Sequence, residues 1–325
     1  MMNDRLFLSC DWGTSAFRLR LIQLNDLQVI AEIKNDLGIL HTFQSWQQSG
    51  SSSDRMAFYT AMIQEQIQLW SNRLNISLKE VPIVASGMAS STIGLVELPY
   101  KEVPFHIDGS DLEVRWLYQS EDLNPMLLIS GVSTADDVMR GEETKIVGCA
   151  SLLPHPEQEQ MLILPGTHPK HVIIKNHQVV GFQTFMTGEF FDLLSSKSIL
   201  SESVDKGGEL NNAENRNAFI EAVKASQTTA LLHHSFLVRT NRVLKHLPKQ
   251  QNFYYLSGLL IGAELTGLNK QIPVCLLGGM PHIPLYKLAC EVLGIHINQS
   301  LDADHCLIKG QQVIFRHMGH YTSSL

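Results

Sequence analysis

Paired cysteines, long apolar runs and an excess of basic charge are all missing from this chain, and each absence removes a class of protein. Five cysteines, Cys10, Cys149, Cys275, Cys290 and Cys306, are scattered over 325 residues with no CxxC spacing. Such thiols suit reduced core positions and argue against a disulfide framework. No apolar run approaches the length that spans a bilayer. The first one, LFLSC, is too short and too closely flanked by acids for a signal peptide, so a cytoplasmic location is expected. With 25 Lys and Arg against 32 Asp and Glu, the net charge of −7 argues against a general nucleic-acid footprint. Neither GxxxxGK[ST] nor a GxGxxG following a strand occurs, and the HRD and DFG elements of protein kinases are absent as well. The Ser90-Ser91 pair lacks the GxSxG elbow of a serine nucleophile.

What is present is a short device used twice. LFLSC runs into Asp11-Trp12-Gly13-Thr14-Ser15, continues as FRLRLI, turns at Asn25-Asp26 and resumes as LQVIAEI. MLILP runs into Gly166-Thr167-His168, continues as HVII, turns at Asn176-His177 and resumes as VVGFQTF. Each copy reads as strand, tight Gly-Thr turn, strand, polar turn, strand. Glycine permits close backbone approach, so such a turn can present peptide N–H groups and a hydroxyl to an anion. Two of them, one per half-chain, can hold a polyphosphate.

The length suggests two domains, 1–150 and 151–325, with LPHPEQEQ (153–160) as the linker, and 44% hydrophobic residues suffice for two cores. Helical spacing is read over 54–73, from Asp136 to Ala150, through Glu189–Leu194, over 218–247 and up to Leu293. VPIVAS (81–86), MLLIS (126–130) and PVCLLGG (273–279) read as strands, and 201–217 reads as a polar loop. Small residues in FYYLSGLLIGAEL suit tight helix packing. The fold class expected is α/β with mixed sheets.

An Asp before Gly-Thr is often only a turn former. Its place in a repeated device favours a carboxylate that positions Mg²⁺ against phosphates. Carboxylates at a helix start are often only dipole partners. A phosphotransferase acting on an alcohol nevertheless needs a base, and the Asp136, Asp137, Glu142, Glu143 group lies between the two devices. Gly278-Gly279 ends a strand and can offer a flat surface to a base ring. His168 and His171 form an HxxH pair, but on a phosphate turn hydrogen bonding is the better reading than zinc.

In combination, DWGTS, LPGTH, DDVMRGEETKIVG and VCLLGGMPHIPLYKLACEVLG resemble the two phosphate motifs, the interdomain helix and the adenosine motif of the sugar kinase, heat-shock ATPase and actin superfamily. With TFMTGEFFDLLS, GMASSTIGLVELPY and LSGLLIG added, the chain is similar to the 2-dehydro-3-deoxygalactonokinases from about residue 6 to residue 294. The resemblance implies two ribonuclease-H-like domains, with mixed five-stranded sheets and flanking helices, around an ATP cleft that closes on its substrates. The first domain would carry the sugar acid and the first phosphate motif. The second would carry the second phosphate and adenosine motifs, with the final helix packing back near the interface. ATP and Mg²⁺ are the implied cofactors, with Asp11 as the metal-positioning residue. Gly13, Thr14 and Ser15 would meet phosphate on one side and Gly166, Thr167 and His168 on the other, while Gly278 and Gly279 would face adenine. Glu142 falls where the base is expected, with Asp137 as the alternative. Ser86, Gly87, Met88, Glu97 and Tyr100 would shape the sugar-acid pocket, and Arg18 or Arg140 would meet its carboxylate. The partner is a small-molecule sugar acid, with no nucleic acid and no membrane, and a homodimer is left open. Two alternatives stay open: a kinase for another sugar acid such as 2-keto-3-deoxygluconate, and a non-catalytic ATP- or sugar-sensing protein. Relatives commonly have PGTHSKW where this chain has Pro169 and His171, and Gly-Trp where it has Gly94-Leu95.

Overall fold

A computed structural model describes residues 6–50, 54–117, 123–228 and 230–318. It divides the chain into two compact units. The first comprises residues 1–154, 177–180 and 304–325, and the second 155–176 and 181–303.

In the first unit, β1 (Leu6–Trp12), β2 (Phe17–Gln23) and β3 (Val29–Asn35) form an antiparallel meander. α1 (Ile39–Gln48) and α2 (Arg55–Leu74) then return the chain to β4 (Ile83–Gly87), parallel to β1. The short strands β5 (Lys101–Glu102) and β6 (Phe105–His106) precede β7 (Val114–Leu117) and β8 (Met126–Ile129). The sheet order is β3-β2-β1-β4-β8-β7. It has six strands where five were expected, because β7 folds back antiparallel on β8 as an extra edge. β9 (Val132–Ser133) and β10 (Val138–Met139) lead into α3 (Glu142–Cys149).

Period-two alternation decides what faces where. Leu8, Cys10, Trp12, Leu19, Ile83 and Ala85 point to one side of the sheet, where they pack with Ile39 of α1 and with Tyr59, Ile63 and Trp70 of α2. At roughly 25 cal/mol per Å² of apolar area, this cluster is the main stabilising term of the unit.

The second unit repeats the plan. β11 (Gln160–Leu164), β12 (Lys170–Lys175) and β13 (Gln178–Thr184) form the meander. α4 (Thr187–Lys197), α5 (Ala213–Ser226), α6 (Leu231–Val243) and α7 (Lys249–Glu264) separate it from β14 (Val274–Gly278). That strand runs parallel to β11 and, after α8 (His282–Leu293), to β15 (Ile297–Asp302). The first residues of β13 pair with β6, so 177–180 group with the first unit. Gly258 and Gly262 of α7 let α5 approach closely: a Cβ at either would overlap Phe219 or Ser226. The small-residue reading of this helix is matched. The last helix, α9 (Ala303–His317), groups from Asp304 onward with the first unit instead of with residues 151–303.

Three expectations need correcting. The helix read from Asp136 begins only at Glu142. Thr134 Oγ1 accepts the N–H groups of Asp136 and Asp137, Val138 and Met139 pair with β9, and Gly141 at φ +104° breaks any earlier helix. The loop 201–217 ends early, because the Asn212 side chain accepts the N–H groups of Glu214 and Asn215 and starts α5 at Ala213. The long helix over 218–247 is in fact two, α5 ending at Ser226 and α6 starting at Leu231.

Candidate active site

Both repeated turns stand where a strand at the centre of its sheet ends, and both are built the same way. In the first unit, Gly13 N donates to Ala16 O at 2.9 Å, closing the turn. Its carbonyls face the start of α1: Ile39 N donates to Gly13 O at 3.0 Å and Leu40 N to Thr14 O at 3.1 Å. Gly38 caps that helix, and a Cβ there would overlap the backbone of Thr14, Ser15 and Ala16. In the second unit, Glu189 N donates to Thr167 O at 3.1 Å, and a Cβ on Gly188 would overlap Gly166 O and Thr167. A helix N-terminus thus satisfies the turn carbonyls in each copy. Thr14, Ser15, Thr167 and His168 are exposed. Gly38 and Gly188 escaped the sequence reading, although Gly188 lies inside the quoted TFMTGE run.

Asp11, next to last in β1, lies opposite Arg18 on β2 and beside Ser86 on β4, in register, while Trp12 pairs with Gly87. A Cβ on Gly87 would come within 3.6 Å of Asp11 Oδ1, and a Cβ on Gly141 within 3.2 Å of Gly87 Cα. These two bare positions carry the start of α3 to the Asp11 end of the sheet. There Glu142 Oε2 accepts Arg140 N at 3.1 Å and Glu143 Oε2 accepts Gly141 N at 2.7 Å, so both first-turn acids fold back on the segment that leads into the helix, near its positive end. Glu142 is half-buried, whereas Glu143 is fully buried. Burial, followed by the neighbouring Glu142 charge, pushes the Glu143 carboxyl up to about 7, against hydrogen bonds from its surroundings. Asp137 Oδ1 accepts Val138 N at 2.7 Å on the approach to this helix.

The substrate candidates divide. Arg140 Nη1 donates to Ser90 O at 2.8 Å, and its guanidinium lies 4.2 Å over the Tyr100 ring. Arg18 instead places Nη1 2.7 Å from both carboxylate oxygens of Asp304 on α9. Arg20 joins the same carboxylate at 3.2 Å. Although burial opposes it, Arg20 and Arg18 hold the Asp304 carboxyl below its ordinary range. Ser86 is fully buried, and its Oγ accepts Gln311 Nε2 of α9 at 3.0 Å, so this hydroxyl supports the strand end. The same Gln311 Nε2 donates to Cys10 O at 3.0 Å. Met88 is half-buried, while Glu97 and Tyr100 are exposed. Gln311 and Asp304 could not be found by motif, because they act through a helix far along the chain, 225 to 301 residues from the residues they bond.

Around the second turn, His168 Nε2 lies 2.6 Å from Glu189 Oε2, and Lys170 Nζ donates to His168 O at 2.9 Å. Gly278 is buried beside Pro165, where a Cβ would press on Ile283, and Gly279 opens onto free space. The Gly-Gly turn and the Gly-Thr turn are therefore neighbours at the ends of parallel β14 and β11. Among the described residues no group of three or more His, Cys, Asp or Glu is arranged to hold a metal. None of their helices is long and apolar enough to cross a membrane.

A family model described as 2-keto-3-deoxy-galactonokinase matches residues 11–314. This chain belongs to that family. Its members are sugar-acid kinases. A Rhizobium meliloti protein provisionally named 2-dehydro-3-deoxygalactonokinase is 30% identical over 314 residues, 94% of each chain. The 2-dehydro-3-deoxygalactonokinase of Escherichia coli is 30% identical over 223 residues, 67% of this chain and 73% of its own. A crystal structure provisionally assigned to the same enzyme, from Sinorhizobium meliloti, superposes with a TM-score of 0.80 at 28% identity, covering 98% of this chain and 99% of its own.

Against that galactonokinase family pattern, the departures have structural homes. His171 is buried, its ring 4.4 Å from that of Phe185 and its Nε2 2.9 Å from Glu264 Oε1, so it fills a ring-shaped core position and meets a carboxylate there. Pro169 O accepts Phe185 N at 2.8 Å. Leu95 lies in the core of the first unit.

Proposed function

We propose that this galactonokinase-family chain transfers the γ-phosphoryl group of ATP to the primary hydroxyl of 2-dehydro-3-deoxy-D-galactonate, giving the 6-phosphate and ADP. The observation that carries the reading is the run of contacts Asp11, Gly87, Gly141, which brings a phosphate-turn acid, the GMASS segment and the acidic helix to one end of one sheet. In this reading Gly13, Thr14 and Ser15 with Gly166, Thr167 and His168 supply donors to the phosphates, and Gly279 offers adenine a bare surface next to Gly278.

Mg²⁺ fits this arrangement because it commonly takes only one or two carboxylates, with phosphate and water completing its shell. Asp11 is that carboxylate, and the absence of a side chain on Gly87 leaves space at its Oδ1. The ion, bound with the nucleotide, supplies charge neutralisation on the phosphates. Glu142, or Asp137 on the same segment, takes the hydroxyl proton; full burial removes Glu143 from that role. Arg140 receives the substrate carboxylate, since Arg18 already spends its charge on Asp304. The enzyme works in the cytoplasm on a free small molecule.

A panel of sugar acids with coupled detection of ADP tests this reading. The expected result is the highest kcat/KM for 2-dehydro-3-deoxy-D-galactonate. A preference for 2-keto-3-deoxygluconate would reassign the substrate, and nucleotide binding with no ADP release on any acceptor would make the chain a sensor.

A further inference from the structure

Beneath the second turn lies a carboxylate that the chemistry above does not use. Glu264, the last residue of α7, is 1% exposed and reaches three other elements. Its Oε1 lies 2.9 Å from His171 Nε2 on β12, and its Oε2 accepts the Tyr286 hydroxyl of α8 at 2.7 Å and the Thr187 hydroxyl at the start of α4. Burial, then the Glu264 charge and hydrogen bond, raise the Tyr286 phenol well above its ordinary value, which keeps it a neutral donor.

Each partner is next to a part of the candidate nucleotide site. His171 follows Lys170, whose ammonium holds His168 O. Thr187 precedes Gly188, which packs on Gly166 and Thr167. Tyr286 sits in the helix that begins just after Gly278-Gly279. A buried carboxylate is costly unless both of its oxygens are hydrogen-bonded. These three donors meet that requirement only when β12, α4 and α8 are in register with one another.

We infer that Glu264 is a positioning residue that sets the spacing of the Gly-Thr turn, the α4 N-terminus and the Gly-Gly turn for a nucleoside triphosphate. The inference rests on the reading of this unit as the nucleotide-binding one. A carboxamide in its place keeps the shape but turns one acceptor oxygen into a donor, opposing the hydroxyl or ring N–H it meets. The expected loss falls on nucleotide binding and not on the acceptor.

The test measures ATP binding by calorimetry, and KM for ATP and for the sugar acid separately, in the wild-type enzyme and in Glu264→Gln, Glu264→Asp, Thr187→Val and Tyr286→Phe. Leu256→Ala, a cavity variant in the α4–α7 cluster, controls for lost stability. Glu264→Gln is expected to weaken ATP binding and raise its KM roughly tenfold, the size of losing a hydrogen bond to a charged group. The KM of the sugar acid should stay within about twofold, and Thr187→Val and Tyr286→Phe should each give about threefold on ATP alone. Partial recovery in Glu264→Asp would support the role. Unchanged ATP affinity in the single-bond variants, or an equal loss in Leu256→Ala, would overturn it even if Glu264→Gln does not fold. A wild-type enzyme that binds no ATP would instead remove the nucleotide reading itself, and the inference with it.

Discussion

The two strand–turn–strand devices share a backbone and differ in charge. In both, a glycine at or near a helix start, Gly38 or Gly188, presses against the turn, and helix N–H groups take the turn carbonyls. The first copy places Asp11 near its strand end and brings the start of α3, with Glu142 and Glu143, to Gly87 beside it. The second places His168, Lys170 and a buried His171–Glu264 pair there instead. One architecture thus carries an acidic end in one copy and histidine and lysine in the other, and the proposed division between metal and proton transfer on one side and phosphate on the other rests on that difference. Backbone geometry makes a turn able to meet an anion, and the adjoining side chains set the charge around it.

The largest test of that division is Glu142→Gln, expected to lower kcat by about 10²–10⁴-fold with ATP binding near normal. Asp137→Asn in parallel decides between the two acids, and unchanged turnover in both would leave the first unit without a base. Next come the strand ends themselves. Asp11→Asn should weaken the dependence on Mg²⁺ by about 10–100-fold, as loss of a metal-orienting group does, whereas His168→Gln should alter KM for ATP only a few-fold. Equal effects on Mg²⁺ titration would erase the asymmetry.

Gly38→Ala and Gly188→Ala probe what the copies share. Each Cβ meets backbone, so each should cost about 1–3 kcal/mol in its own turn, read as lower kcat/KM with a modest fall in Tm. A harmless Gly38→Ala alongside a damaging Gly188→Ala would show that only the second copy needs close approach.

The last effect leaves turnover aside and is read in stability alone. The Glu143 carboxyl is raised from 4.5 to about 7 in the folded chain. Below 4.5 it is protonated in both states. Between these values the folded chain keeps a proton that the unfolded chain gives up, so stability falls as pH rises, and above about 7 it levels off. The span corresponds to about 3 kcal/mol. Thermal melts from about pH 5 to pH 8 should show this decline in the wild type and a flatter profile in Glu143→Gln, since a carboxamide does not titrate.

Much of the candidate site could be proposed from sequence because its signals are local. Gly-Thr after an apolar strand, Gly-Gly after another and acids before a helix each follow from nearest-neighbour backbone chemistry. Where a reading failed, a tight turn, a short strand pairing or a distant partner had overruled the spacing pattern. The Asp136 helix start lost to a β9–β10 pairing and the left-handed Gly141, and the long helix over 218–247 was broken in two. Arg18 looked as available as Arg140 until Asp304, far along the chain, was found beside it.

The sequence by itself determined the strand alternation that buries Trp12 and leaves Asp11 facing the other way, the two turns, and the family, because periodicity and motif order survive without coordinates. Tertiary structure alone decided which arginine is engaged, which acid is sealed, and that Glu264 lies beneath the second turn. Those outcomes depend on burial and on donors arriving from distant segments, and a carboxylate's role is set by the groups that surround it once the chain has folded.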